Sequence, residues 1–125
     1  MLRVDSPYLY YPLGLRARGT LPREFILSSM KYFAVNYDYN PASPEIAKVR
    51  PAHREFTGQL FDEGTIVASG PLTDSQGGAL IIVCFDDDDT QVSDVIALMD
   101  KDPFYREGCL QGRSFREWTP VKARF

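Results

Sequence analysis

An α+β fold with elements in the order β-α-β-β-α-β is what this chain predicts, on three observations. From Met30 onward, aromatic and β-branched runs alternate with stretches of helical periodicity. Turn-forming residues separate these runs at Asp38 to Ser43, Gly64, Ser69-Gly70-Pro71 and Gly77-Gly78. At 125 residues, the chain has room for one domain and no second.

The segment Lys31-Tyr32-Phe33-Ala34-Val35-Asn36-Tyr37 reads as the first strand, closed by the turn residues after it. A helix is expected to start at Pro51, whose missing N–H and fixed φ suit a first helical position. It should stop before Gly64, a natural residue just past a helix end. His53, Phe56 and Leu60 then share one stripe of that helix. Thr65 to Ala68 gives a short second strand ending in Ser69-Gly70-Pro71, and Ala79 to Phe85 a third, the two forming a hairpin with a longish loop. Val92, Val95, Ile96 and Met99 recur at i, i+3, i+4 and i+7, which marks a second helix ending near Asp100. The last strand falls within Gly112 to Thr119.

This order is that of a ferredoxin-like fold, an antiparallel sheet with both helices on one face. The other face should then be polar in a monomer, giving alternation along each strand. Instead Ala79 to Phe85 is apolar at every position and Tyr32 to Val35 nearly so. A second copy of the same sheet is the simplest cover, so a homodimer is expected, its two sheets packed face to face as a dimeric α/β barrel.

Residues 1–29 stand apart from the domain at 30–125. They hold Arg3, Arg16, Arg18 and Arg23 against Asp5 and Glu24, while the remaining residues carry 10 basic and 15 acidic side chains, net −5. Pro7, Pro12, Gly14, Gly19 and Pro22 discourage long helices or strands there. The stretch reads as an extension or arm, either a leader before the domain or a segment whose Tyr8, Tyr10 and Tyr11 pack on a neighbouring subunit. It lacks the apolar core of a secretory signal.

Composition narrows the function. A hydrophobic share of 44% and a charged share of 25% are those of a soluble globular protein, and no apolar run approaches the ~20 residues of a membrane span. The net charge of −3 argues against nucleic acid as a partner, since that affinity rests on Lys and Arg displacing counterions. Cys84 and Cys109 have no metal-ligand spacing and read as reduced thiols in a cytoplasmic protein. Asp86 to Asp89 are expected to cap and flank a helix N-terminus rather than bind a metal, because consecutive aspartates do not converge on one ion. No glycine-rich phosphate loop or nucleophile elbow is present, so no cofactor is expected, and a single histidine counts against haem or a metal.

Four short motifs in order carry a family resemblance. Arg50-Pro51-Ala52-His53, Asp62-Glu63-Gly64 at the helix end, Ser69-Gly70-Pro71, and Asp102-Pro103-Phe104 with Gly108 after it resemble the YciI-like (YCII-related) proteins. The match runs from about Lys31 to Lys122. It implies a ferredoxin-like α/β barrel dimer and a His–Asp site at His53 and Asp102. Lyase- or isomerase-type chemistry on small molecules is also implied, dehydrochlorination of a hydroxylated chloroaromatic being the family's example.

The pair also makes chemical sense without the family. Histidine titrates near pH ~6.5 when unperturbed, so it exchanges protons at neutral pH. A carboxylate on one ring nitrogen fixes the tautomer and stabilises the imidazolium, which describes a general base. Arg50, Ser69 and Tyr105 are the expected substrate-binding residues: a cation for a carboxylate or phenolate, a hydroxyl at a strand end, and a ring or hydroxyl that lines the pocket or caps the barrel. Two readings stand: a cofactor-free small-molecule enzyme, and a non-catalytic binding module in which the pair is structural.

Overall fold

The computed structural model describes residues 30–125, and the arm expected over residues 1–29 lies outside them. Strands β1 (Lys31–Asp38), β2 (Ile66–Pro71), β3 (Ala79–Phe85) and β4 (Gly112–Trp118) alternate with helices α1 (Pro44–Asp62), α2 (Val92–Met99) and α3 (Pro103–Arg106), which follow β1, β3 and α2 respectively. The sheet order is β2-β3-β1-β4, and every neighbouring pair is antiparallel. This is the ferredoxin-like α+β arrangement, with one extra turn of helix before the last strand.

Period-two alternation builds the core. Phe33, Val35 and Tyr37 of β1 lie on the same face as Val83, Ile81 and Ala79 of β3, and all six are buried in one cluster with Ile46, Val49 and Leu60 of α1 and Val95 and Met99 of α2. Each such apolar side chain removed from water contributes about 1.5–3 kcal/mol. The opposite face carries a second cluster, Tyr32, Ile82 and Cys84, with Met30, Ala34 and Val67 against it. Leu80 and Trp118 project from that same face and stay exposed. The uninterrupted apolar run of β3 is thus explained: both sides of the sheet are apolar.

Helix α1 begins seven residues before the expected Pro51. Ser43 caps it, its hydroxyl accepting from the Glu45 N–H at 3.3 Å, and Pro44 takes the first helical position. Two Pro-led starts therefore compete, and the one with a Ser cap and a first-turn acid prevails. Pro51 sits inside the helix, where it lacks the N–H that would reach the Ala47 carbonyl. His53 consequently lies in mid-helix and not in its first turn. The end is as expected: Gly64 adopts φ 86°, and Thr65 N–H to Leu60 O (2.9 Å) with Gly64 N–H to Phe61 O (3.0 Å) closes the last carbonyls.

Two other elements differ from expectation. Strand β2 continues through Ser69-Gly70-Pro71, because an edge strand needs no N–H from proline on its outer side. Asp86 to Asp89 do not cap α2. That helix starts at Val92 behind Gln91, whose N–H donates to Asp94 Oδ2 at 2.8 Å, while Asp87 accepts from Asp89 N–H within a turn. The acidic run ends too early to reach the first-turn N–H groups. Among the described residues, no helix is long and apolar enough to cross a membrane.

Candidate active site

Asp102 is wholly buried, and its neighbours in sequence put it there. Pro103 disfavours helical backbone at the residue before it, and Asp102 takes φ −66° and ψ 129° as the cap of α3. One carboxylate oxygen accepts the Phe104 N–H at 2.9 Å. From the sheet, the Tyr37 hydroxyl donates to the other at 2.8 Å. From α1, His53 Nδ1 lies 2.9 Å from both. Donors from three elements thus converge on one carboxylate, and the sites His53 and Asp102 expected from sequence meet directly.

That contact sets the histidine tautomer. An ionised carboxylate only accepts, so the contact favours the proton on Nδ1, and the neutral ring then has an unprotonated Nε2. Phe104 fixes the plane: its ring stacks on the imidazole with centroids 4.0 Å apart and 10° between planes. Burial, and then the charge and hydrogen bond of Asp102, push the Tyr37 phenol well above its ordinary range, which keeps it protonated as a donor.

The imidazole opens on a pocket of about 210 Å³. α1 supplies Arg50, His53, Arg54 and Thr57, and β2 supplies Ser69, Gly70 and Pro71. Tyr39, Ala79, Ile81 and Phe104 form the remaining wall. Arg50 and Ser69 therefore line the same pocket as His53.

Tyr105, expected either to line the pocket or to cap the barrel, does not line this pocket. Consecutive residues on a helix point about 100° apart; Phe104 faces inward and is buried, so Tyr105 faces out, 43% exposed. Its ring lies under the Arg113 guanidinium at 3.6 Å, and Arg113 Nη2 donates to Asp100 Oδ1 at 2.8 Å.

Four contributors escape a sequence reading. Tyr37 carries a weak signal: it alternates inward with Phe33 and Val35, and a buried phenol needs a partner. Phe104 shows only as an apolar residue after Asp-Pro. Arg54 and Thr57 follow from the spacing to Arg50 and His53 once the helix is known to extend through all four. Among the described residues, no three His, Cys, Asp or Glu side chains gather into a group able to hold a metal.

Comparison with known proteins agrees with this architecture. Two solved structures share the fold. A 5-chloro-2-hydroxyhydroquinone dehydrochlorinase from Burkholderia phenoliruptrix, complexed with 2,5-dihydroxybenzoquinone, matches with TM-score 0.56 at 20% identity, over 70% of this chain and 92% of its own. A putative antibiotic biosynthesis monooxygenase from Bacteriodes thetaiotaomicron matches with TM-score 0.53 at 10% identity, over 77% and 93%. No curated protein sequence matches the chain. The model of the YCII-related domain matches residues 30–119, which takes in every strand and helix described above and the whole His53 pocket. The chain belongs to the YCII-related domain family.

Proposed function

We propose that this protein is a cofactor-independent enzyme of the lyase or isomerase type, moving a proton on a small phenolic or enolisable molecule. The observation that carries this reading is the buried Asp102 carboxylate on His53 Nδ1, which leaves Nε2 as the acceptor on a pocket-lining residue. In the mechanism, Nε2 takes the proton of a phenolic O–H or an acidic C–H. The electron pair left behind moves onto a substrate oxygen, where Arg50 or the Ser69 hydroxyl stabilises it. It then either expels a leaving group such as halide or collects the proton back from His53 at another carbon. Asp102 holds the imidazolium between the two steps. The dehydrochlorinase that shares this fold acts on a chlorinated hydroxyhydroquinone, a substrate of this kind.

His53 is the chain's single histidine, so its two ring nitrogens are assigned without ambiguity by long-range ¹H–¹⁵N correlation. The neutral ring should carry its proton on Nδ1 in the wild type, and Asp102→Asn should populate both tautomers. A wild-type ring protonated on Nε2 would remove the base from this mechanism.

The alternative, a non-catalytic small-molecule-binding module, draws on Asp102 as cap of α3 and acceptor for Tyr37, roles that need no chemistry. A His53→Gln variant that converts a substrate at the wild-type rate would favour it.

The assembly belongs to the same proposal. Leu80, Ile82, Ala34 and Trp118 give the helix-free face an apolar surface that a second sheet covers. Sedimentation should show a homodimer, and Leu80→Asp should yield monomer at low micromolar concentration; a monomeric wild type refutes the barrel. The free thiols Cys84 and Cys109 accord with a cytoplasmic setting.

A further inference from the structure

The wall that α1 contributes to the pocket is polar at the spacing that ordinarily makes an apolar stripe. Arg50, His53, Arg54 and Thr57 stand at i, i+3, i+4 and i+7 and all line the cavity. Two guanidinium groups are thereby set one turn apart, where like charges repel. Nothing on the helix relieves them. The positions three and four residues from Arg50 are Ile46, Ala47, His53 and Arg54, and those from Arg54 are Arg50, Pro51, Thr57 and Gly58. None is a carboxylate.

Tertiary structure does not relieve them either. The ion pairs among the described residues are Lys31 with Glu117, His53 with Asp102 and Arg113 with Asp100, and neither Arg50 nor Arg54 takes part. No Asp or Glu lines the pocket, although residues 30–125 hold 15 of them against 10 basic side chains. Acidic residues are plentiful on this domain, yet none lines this cavity, Asp102 being buried behind His53.

We infer that the pocket selects a small organic anion, with a carboxylate gripped jointly by Arg50 and Arg54 while the ionisable part of the molecule faces His53. A carboxylate has two oxygens and about four acceptor sites, enough to engage two guanidinium forks at once. A lone phenolate oxygen serves one fork well and leaves the second unpaired. Arg50 is half-buried and Arg54 exposed, so Arg50 orients the anion inside and Arg54 draws it from solvent, the latter contribution falling with salt. This rests on the proposed site at His53 and adds to it the charge of the substrate.

Calorimetric titration of the full chain with 2,5-dihydroxybenzoate and its neutral isostere 2,5-dihydroxybenzamide tests the inference. The acid should bind at least tenfold tighter in low salt. Arg54→Gln should shrink that preference several-fold, and Arg50→Gln/Arg54→Gln together should bring the two ligands level. Equal affinities in the wild type, a preference that survives the double variant, or no binding of either ligand overturns the inference. Binding requires no turnover, so the two proposals fail separately: level affinities with an Nδ1–H histidine sink only the anion, and a preserved preference with an Nε2–H histidine sinks only the base.

Discussion

Replacing Asp102 with alanine should lower the stability of the domain by about 3 kcal/mol or more, well beyond an ordinary point substitution. The sum has identifiable parts. Loss of the α3 cap costs about 1 kcal/mol. The Tyr37 hydroxyl, left without an acceptor inside the core, adds about 1–3 kcal/mol. His53 Nδ1 also loses its partner but lies nearer solvent and adds less. Tyr37→Phe, which removes a single donor, should cost only about 1 kcal/mol. Asp102→Asn keeps an oxygen for the cap and should fall between the two. Urea unfolding followed by the fluorescence of Trp118 measures all three, and an Asp102→Ala midpoint within error of the wild type would show that the carboxylate carries no structural load.

The second large effect is expected at a glycine in the turn before β3. Gly78 has φ 93°, and a methyl added to it would overlap the Tyr37 carbonyl oxygen, a backbone atom with no freedom to turn aside. Gly78→Ala should therefore cost about 2–4 kcal/mol, from the strained backbone together with the displacement of β1. Tyr37 moves with that strand, so the hydroxyl on Asp102 should loosen in the same variant. Gly58→Ala provides the contrast. It lies in the interior of α1 with nothing near its added methyl, and it should stabilise the domain by about 0.5–1 kcal/mol. Equal behaviour of the two variants in urea would contradict this account of the hairpin.

Strands were the most legible part of this chain. Ala79 to Phe85 is where its apolar, β-branched run and the Gly77-Gly78 turn put it, and the last strand lies within Gly112 to Thr119, since a strand's ends are marked by residues that cannot continue it. Helix starts were less legible. Ser43-Pro44 and Arg50-Pro51 both offer a proline at a first position, and the choice depends on whether the intervening Ile46 and Val49 find a core to enter, which is tertiary information. Of the site, the His53–Asp102 pair was readable because each residue stands in a distinctive motif, and Arg50 and Ser69 were readable as its neighbours. Tyr37 was not, because a tyrosine in a buried strand looks like packing until the strand's register sets its hydroxyl over Asp102. Which of its two expected places Tyr105 takes was illegible for a complementary reason: adjacent to Phe104 in sequence, it is turned away from the pocket by a one-turn helix that no periodicity could reveal in four residues.

The capping role of Asp102 gives the two members of the pair unequal histories under mutation. A descendant of this protein that no longer needed its chemistry would still need Asp102 to start α3 and to quiet Tyr37, whereas His53 could drift to any side chain that stacks on Phe104. Decay of activity would then leave the aspartate as a fossil and erase the histidine first. On the proposed chemistry, the residue opposite Phe104 is the one that tells a working site from a retired one among relatives.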